Sequence, residues 1–132
     1  MTDTPAAPAA TILYVEDSPI NQELMRSLLR KRPGVRLVIV GTGADAVEAA
    51  VAEQPVLILL DRHLPDMTGD HILRLLRARE ETETVPVIIV SGDTATPHTG
   101  ESRLGVIAYL TKPFDIHELL SHIDRALREN RY

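Results

Sequence analysis

The sequence predicts an α/β protein in which a parallel sheet of five strands is covered by helices on both faces. The first indication is five short apolar runs, rich in Val, Ile and Leu, at Ile12–Val15, Leu37–Val40, Val56–Leu60, Val87–Val90 and Val106–Leu110. These runs are continuous rather than alternating, which is typical of strands buried on both faces. The second is the helical periodicity of the intervening segments, which predicts right-handed βαβ crossovers and a three-layer sandwich.

The first two helical segments have clear boundary signals. Ser18 and Pro19 give an N-cap followed by proline at the first helical position, and Pro33–Gly34 ends the segment. Its apolar residues recur at helical spacing and are predicted to be core: Ile20, Leu24, Met25, Leu28 and Leu29. The second segment, Ala44–Glu53, is rich in alanine and stops before Pro55.

Two later segments also predict helices. The first, Asp70–Arg79, has four apolar residues predicted to face inward: Ile72, Leu73, Leu75 and Leu76. The last helix is predicted to follow Asp115 as N-cap, with Glu118 three residues later as in a capping box. Its predicted apolar stripe consists of Ile116, Leu119, Leu120, Ile123 and Leu127.

The segment between the fourth and fifth strands is a poor helix former. Thr94–Arg103 contains Pro97, Gly100 and four Ser or Thr residues. These residues either break helices or compete for backbone hydrogen bonds. We therefore expect a short or irregular fourth helix there.

Composition limits the function classes. The 132 residues suit one domain, and 44% apolar with 25% charged residues is ordinary for a soluble globular protein. The absence of cysteine excludes disulfides, thiolate metal sites and a cysteine nucleophile, and a net charge of −5 weighs against direct nucleic-acid binding. No apolar run is long enough to span a bilayer, and no signal peptide is recognisable. We expect a flexible tail over residues 1–10 and one cytoplasmic domain over residues 11–132.

Charged and polar residues follow four of the five predicted strands. The first strand runs into Glu16–Asp17, the third into Asp61, the fourth into Ser91–Gly92 and the fifth into Thr111–Pro113, which includes Lys112. In open parallel sheets, functional sites lie beyond the carboxyl ends of the strands. These residues are therefore predicted to meet at one edge of the sheet.

The chemistry of this set indicates phosphoryl transfer. Three carboxylates in one cleft repel one another, and a hard cation with oxygen ligands such as Mg²⁺ relieves that repulsion. A carboxylate is a competent nucleophile toward phosphorus, and the transferred group needs its charge neutralised. Lys112 would supply a point charge and Ser91 a hydroxyl donor, while Gly92 leaves space for a phosphodonor.

Four motifs resemble those of the response regulator receiver domain of two-component signalling. They are Tyr14–Pro19, Leu59–Gly69, Val90–Gly92 and Tyr109–Phe114, within a resemblance that covers roughly residues 11–128. Each motif alone is weak, but all four in order at the strand ends are a strong signal. The resemblance implies a flavodoxin-like sandwich of strand order 2-1-3-4-5 with five helices.

The resemblance also implies roles for individual residues. Asp61 would be the phosphoacceptor, and Mg²⁺, for which Mn²⁺ could substitute, would be held by Asp61, by Asp17, by Glu16 through water and by the backbone carbonyl of His63. Ser91 and Lys112 would contact the phosphoryl oxygens. The phosphoryl group would come from phosphohistidine on a sensor histidine kinase or a histidine phosphotransfer protein.

Further residues are implied to switch or tune the site. Tyr109 would turn inward as Ser91 moves toward the phosphoryl group, and the peptide bond between Lys112 and Pro113 is expected to be cis. Gly92 belongs to the same switch region. His63 and Asp93 flank the phosphoryl site, where they would tune the lifetime of the phosphorylated state and could pair with each other.

The resemblance implies a signalling switch that catalyses only its own phosphorylation and dephosphorylation. A downstream protein would bind the face built from the weak fourth helix, the fifth strand and the fifth helix, without direct contact to nucleic acid or membrane. The protein would be a monomer or a phosphorylation-dependent dimer. It could be a single-domain regulator or a part of a hybrid histidine kinase.

Three other functions compete with this interpretation. A pseudo-receiver that only binds proteins would normally lack one of the acids or the lysine, which this chain keeps. A small Mg²⁺-dependent phosphatase or dehalogenase-like enzyme usually has a second acid two residues after its nucleophile, where this chain has His63. A flavodoxin-like cofactor binder would need a phosphate loop where Glu16–Asp17 would repel a phosphate.

Overall fold

The computed structural model describes residues 10–92 and 102–129. The elements in this part are, in chain order, β1 (Ala10–Val15), α1 (Pro19–Leu29), β2 (Val35–Val40), α2 (Gly43–Glu53), β3 (Leu57–Asp61), α3 (Gly69–Arg77), β4 (Val87–Ser91), a 3₁₀ turn (Ser102–Leu104), β5 (Val106–Thr111) and α4 (Ile116–Glu129). The five strands form one parallel sheet of order β2-β1-β3-β4-β5. The predicted fold class and strand order are confirmed.

The predicted count of five helices is wrong for the described residues, which contain four α-helices. Ser102–Leu104, at the end of the predicted fourth helix, forms a single 3₁₀ turn. The following Gly105 has φ +82°, a left-handed conformation that ends a right-handed helical path before β5. Residues 94–101 of that predicted helix lie outside the described residues, as do residues 1–9 of the predicted tail.

The sheet separates two hydrophobic clusters because alternate strand residues point to opposite faces. On one face, strand residues such as Ile12, Tyr14 and Leu59 pack with residues of α1 and α4, namely Met25, Leu28, Leu29, Leu119, Leu120 and Ile123. On the other face, strand residues such as Leu13 and Leu60 pack with residues of α2 and α3, namely Ala46, Ala50, Ile72, Leu73 and Leu76. The central strands are thus buried on both sides, as their continuous apolar runs indicate.

Four helix residues predicted to be core are exposed instead, namely Ile20, Leu24, Leu75 and Ile116, and so is Ile107 in β5, a strand predicted to be buried on both faces. At 100° per residue, the first three lie outside the stripes that α1 and α3 bury. Ile116 is the first residue of α4, ahead of the first buried residue Leu119. A prediction based only on apolar residues at helical spacing therefore made the buried face of each of these helices too wide.

The helices begin at side-chain caps. The predicted cap Asp115 accepts a hydrogen bond from the backbone N–H of Glu118 at 3.0 Å. Ser18, also predicted, caps α1, whereas Thr42 of α2 and Thr68 of α3 are caps that the sequence analysis missed. No helix in the described part of the chain is long and apolar enough to cross a membrane.

Candidate functional site

The predicted polar residues meet at the carboxyl edge of the sheet. Glu16 directly follows β1, where its backbone N–H donates to Val40 at 2.9 Å, and Asp61 is the last residue of β3. Ser91 ends β4, and its carbonyl accepts a hydrogen bond from the N–H of Lys112 at 2.8 Å, just beyond β5. The continuing strand pairing therefore fixes the backbone from which each side chain projects.

Three carboxylates form a cluster at this edge. One oxygen from each of Glu16, Asp17 and Asp61 lies within 4.8 Å of the other two. Glu16 and Asp61 are buried, while Asp17 is exposed. Carboxylates this close repel one another, and an oxygen-only donor set with one open side fits a hard divalent cation such as Mg²⁺. We regard these three residues as able to hold one.

Lys112 lies between two of these carboxylates. Its Nζ donates to Oδ2 of Asp61 at 3.0 Å and also to Oε1 of Glu16. Burial lowers the pKa of Lys112, but its hydrogen bonds to Glu16 and Asp61 outweigh burial and hold the pKa above its usual value. The ammonium group therefore stays charged and offsets part of the negative charge in the cluster.

Glu16 is held by donors on several sides. Its Oε2 accepts from the backbone N–H of Ser18 at 3.0 Å, and its Oε1 accepts from the Tyr14 hydroxyl at 3.0 Å and from Asn21 Nδ2 at 3.4 Å. Burial raises the pKa of Glu16, but the bonds from Lys112, Ser18 and Tyr14 together lower it below the usual value. Glu16 is consequently a buried carboxylate that stays ionised in one fixed orientation.

Asp61 is less completely stabilised in its ionised form. Burial raises the pKa of Asp61, and the hydrogen bonds from the His63 backbone N–H and from Lys112 oppose this without cancelling it. The His63 bond goes to Oδ1 at 3.1 Å and the Lys112 bond to Oδ2. The carboxylate that the sequence identifies as a nucleophile is thus both oriented and partly desolvated.

The loop after Asp61 is tightly folded. His63 and Thr68 form an isolated antiparallel bridge, and the N–H of Gly69 donates to Arg62 O at 2.8 Å. A Cβ on Gly69 would lie 3.0 Å from the Asp61 carbonyl oxygen, closer than side chains normally approach. Glycine at this position therefore permits α3 to start directly beside the end of β3.

Asp66 attaches the same loop to α2. Its two carboxylate oxygens accept from the backbone N–H groups of Gly43 at 2.7 Å and Ala44 at 3.0 Å. These bonds from the first turn of α2 hold the pKa of Asp66 below its usual value. The sequence does not reveal this contact, because Asp66 and Gly43 are far apart in the chain.

The predicted switch residues lie on the last two strands, with Ser91 at the end of β4, Gly92 directly after it and Tyr109 in β5. Ser91 is buried, whereas a Cβ on Gly92 would meet no atom of the described residues within 4 Å. Tyr109 is half-buried, and Cζ of Arg62 lies 5.8 Å from the centre of its ring, within the range of a cation–π contact. Arg62 is a further residue that the sequence analysis did not single out.

Two other predicted features concern the rim of the site. The peptide bond between Lys112 and Pro113 is cis. His63 is exposed beside Asp61. Asp93, its predicted partner, lies outside the described residues, so the pairing of His63 with Asp93 stays a prediction.

Comparison with known proteins identifies the family. Residues 12–124 match the response regulator receiver domain. The chain is 36% identical over 119 residues to Protein PilH of Pseudomonas aeruginosa, a match that covers 89% of this chain and 98% of that protein. The chain therefore belongs to the response regulator receiver domain family of two-component signalling. Receiver domains are signalling switches rather than ordinary enzymes.

Other relatives show the same domain in different settings. The probable transcriptional regulatory protein TcrX of Mycobacterium tuberculosis is 33% identical over 119 residues, but this chain spans only 50% of its length. The receiver domain of the sensor histidine kinase PA1611 from Pseudomonas aeruginosa has a TM-score of 0.77 and 32% identity, covering 89% of this chain and 97% of that one. That structure contains a magnesium ion coordinated in the active-site cleft.

Proposed function

We propose that this domain is a phosphoacceptor switch that takes a phosphoryl group on Asp61 in a Mg²⁺-dependent reaction. The observation that carries the proposal is the position of Lys112, whose Nζ bonds both Asp61 and Glu16 at the edge of a three-carboxylate cluster. A cation that pairs equally well with carboxylate or phosphoryl oxygen stands beside the nucleophile. The magnesium ion in the related PA1611 receiver supports the same chemistry here.

The cation would be held by Glu16, Asp17, Asp61 and the backbone carbonyl of His63, with Glu16 acting through water. When bound, Mg²⁺ supplies positive charge to the phosphoryl oxygens and relieves repulsion among the carboxylates; Mn²⁺ would substitute. The location of Asp17 on the exposed side of the cluster leaves it accessible to a cation that arrives from solvent. Two of the three carboxylates are already fixed by hydrogen bonds before the cation arrives.

In the transfer step, an oxygen of the Asp61 carboxylate forms a bond to phosphorus while the bond from phosphorus to the donor histidine nitrogen breaks. The donor would be a sensor histidine kinase or a histidine phosphotransfer protein. Lys112 would pair with the transferred phosphoryl group, and the Ser91 hydroxyl would donate to it. Slow hydrolysis of the acyl phosphate at the same site would reset the switch, with His63 and Asp93 tuning its rate.

Phosphorylation would then shift a pre-existing equilibrium between two conformations. Ser91 would move toward the phosphoryl group, Gly92 would permit that movement, and Tyr109 would turn inward beside Arg62. The altered face, which includes β5 and α4, would bind a downstream protein partner in the cytoplasm. The domain would act as a monomer or as a phosphorylation-dependent dimer.

The test is phosphorylation by acetyl phosphate, read on a phosphate-affinity gel for the wild type and for Asp61→Asn. We expect a shifted band that requires Mg²⁺ and disappears in the variant. A phosphohistidine protein should be used as a second donor, because some receivers reject small donors. A wild type that accepts phosphate from neither donor would be a pseudo-receiver that acts by protein binding alone.

A further inference from the structure

We propose that the Tyr14 hydroxyl is a positioning group for the cation and phosphoryl site, because it holds the carboxylate of Glu16 in place. This inference rests on the proposed function, since it assigns a residue to the same site. Tyr14 is no candidate ligand itself. Its role would be to keep Glu16 oriented while the other partners of Glu16 change.

The geometry of Tyr14 ties it to Glu16. Tyr14 lies in β1, and Glu16 follows two residues later, directly after the strand, where its N–H still donates to Val40. This two-residue spacing places both side chains on the same side of the chain. Tyr14 is fully buried, and its hydroxyl donates to Glu16 Oε1 at 3.0 Å. A buried tyrosine hydroxyl needs a hydrogen-bond partner, and here that partner is a carboxylate of the site.

The ring of Tyr14 is fixed as well. It packs against Phe114 in an edge-to-face arrangement, with ring centres 6.3 Å apart and an angle of 65° between the planes. Phe114 follows Lys112 by two residues along the chain. Tyr14 therefore contacts both the carboxylate at the end of β1 and the segment that carries the site's lysine after β5.

The hydroxyl matters most when Lys112 changes partners. In the described structure, Oε1 of Glu16 accepts from Tyr14, from Lys112 and, at a longer 3.4 Å, from Asn21. A phosphoryl group on Asp61 would draw Lys112 away from Glu16. A buried carboxylate that loses a donor is destabilised unless another donor remains. Two donors would then be left on Oε1, the Tyr14 hydroxyl at 3.0 Å and the more distant Asn21 at 3.4 Å, while the Ser18 N–H stays on Oε2. The Tyr14 hydroxyl, as the nearer of the two, would keep Oε1 oriented toward the cation.

The test is the Mg²⁺ affinity of Tyr14→Phe, measured by NMR titration in the absence of any phosphodonor. The variant keeps the ring and its packing on Phe114 but removes the hydroxyl. We expect Mg²⁺ affinity to fall about tenfold, the effect typical of removing a group that orients a metal ligand. Tyr132→Phe makes the same chemical change near the chain end and should leave the affinity unchanged.

A double-mutant cycle separates positioning from general loosening of the core. In a Glu16→Gln background, Tyr14→Phe should cause no further loss of Mg²⁺ affinity, because the group that it positions is already altered. A Tyr14→Phe variant that binds Mg²⁺ as the wild type does would overturn the inference. An equal loss in both backgrounds would overturn it too, since the effect would then not pass through Glu16.

A second measurement covers the case in which Tyr14→Phe does not fold. The wild type can be labelled with fluorotyrosine at its three tyrosines, and the signal of Tyr14 identified from Tyr109→Phe and Tyr132→Phe. We expect this signal to shift when Mg²⁺ is added and to stay unchanged in Glu16→Gln. A Tyr14 signal that does not respond in the wild type would contradict the inference.

Failure of this inference is distinguishable from failure of the proposed function. If the wild type binds Mg²⁺ and is phosphorylated on Asp61, but Tyr14→Phe binds Mg²⁺ equally well, only the role of Tyr14 is wrong. If the wild type binds no Mg²⁺, both proposals are wrong.

Discussion

Two partly buried cations, Lys112 and Arg77, lie at opposite ends of the sheet and have different kinds of partner. Lys112 follows the carboxyl end of β5 and bonds two side-chain carboxylates, those of Glu16 and Asp61. Arg77, at the end of α3, bonds three backbone carbonyls near the amino ends of β4 and β5. The pKa of Lys112 is raised by its acidic partners, whereas burial lowers the pKa of Arg77.

The partners of Arg77 are fixed parts of the fold. Its guanidinium donates to the carbonyls of Leu104 at 2.6 Å, Thr82 at 2.7 Å and Val85 at 2.5 Å. A Cβ on Gly105 would lie 2.6 Å from Nη2 of Arg77, so the glycine leaves room for this contact. Arg77 therefore joins α3, the turn before β4 and the start of β5.

The difference shows how to separate a structural cation from a functional one. Backbone carbonyls cannot leave Arg77 without unfolding of the surrounding segments. Carboxylates can release Lys112 when a phosphoryl group offers more negative charge. Substitutions of Arg77 and Lys112 should therefore differ in whether Mg²⁺ repairs the loss of stability.

Replacing Arg77 with methionine should cause the largest loss of stability. The partly buried carbonyls of Thr82, Val85 and Leu104 would each lose a charged donor, so we expect the free energy of unfolding to fall by about 3 kcal/mol. Urea denaturation measures this change. Arg74→Met, an exposed position on the same helix, is the matched control and should change stability little. Equal effects of the two variants would contradict a structural role for Arg77.

Replacing Lys112 with methionine should give a loss of stability that Mg²⁺ repairs. The substitution removes the ammonium group that neutralises the buried carboxylates of Glu16 and Asp61. We expect the free energy of unfolding to fall by about 2 kcal/mol when a chelator keeps Mg²⁺ away. Added Mg²⁺ should restore much of this stability but not phosphorylation. Urea denaturation with and without Mg²⁺ checks the first point, and acetyl phosphate labelling checks the second.

Lys31→Met is the matched control for Lys112→Met, because Lys31 is exposed. It should leave both stability and labelling unchanged. If Mg²⁺ does not change the free energy of unfolding of Lys112→Met, then Lys112 and the cation do not neutralise the same carboxylates.

Replacing Asp61 with asparagine should raise stability at neutral pH by about 1 kcal/mol, as substitutions at strained functional sites often do. Burial raises the pKa of Asp61 in the folded protein, so its ionised form costs stability above that pKa. The cost disappears as pH falls below the ordinary aspartate pKa, where the carboxyl is protonated in both states. Urea denaturation across this pH range should show the advantage of Asp61→Asn shrinking in acid.

Replacing Asp66 with asparagine should have the smallest effect, a local change in how the start of α2 responds to pH. The pKa of Asp66 is lowered by the N–H groups of Gly43 and Ala44, so its contact with α2 is present above the ordinary aspartate pKa. That contact should be lost as pH falls through the lowered pKa. The amide NMR signals of Gly43 and Ala44 should follow this titration in the wild type and not in Asp66→Asn. Asp45→Asn, also exposed and in the first turn of α2, should leave the titration intact.

Much of the fold was predictable because buried parallel strands leave a direct signal in sequence. The run Val87–Val90 is continuous and apolar, and β4 covers those residues together with Ser91. The side chains brought together at the strand ends were also predictable, since Asp61 directly follows such a run and Lys112 follows another after Thr111.

The interactions that orient these side chains were harder to predict. Arg77 donates to the backbone carbonyls of Thr82, Val85 and Leu104. Because every residue has a backbone carbonyl, the sequence does not show which of them will accept a hydrogen bond. In the sequence, Tyr14 looks like any other residue of a buried strand, so its contact with Glu16 was not predicted. Its spacing of two residues from Glu16 is the signal that could have revealed their contact.

Phosphorylation of Asp61 is tested most directly by locating the phosphoryl group within the chain. The wild type would be incubated with acetyl phosphate and Mg²⁺, reduced with borohydride, which converts an aspartyl phosphate to homoserine, and digested for mass spectrometry. We expect homoserine at position 61, dependent on Mg²⁺ and strongly reduced in Lys112→Met. Modification at any other residue, or equal modification of Asp61 without Mg²⁺, would contradict Mg²⁺-dependent phosphorylation of Asp61.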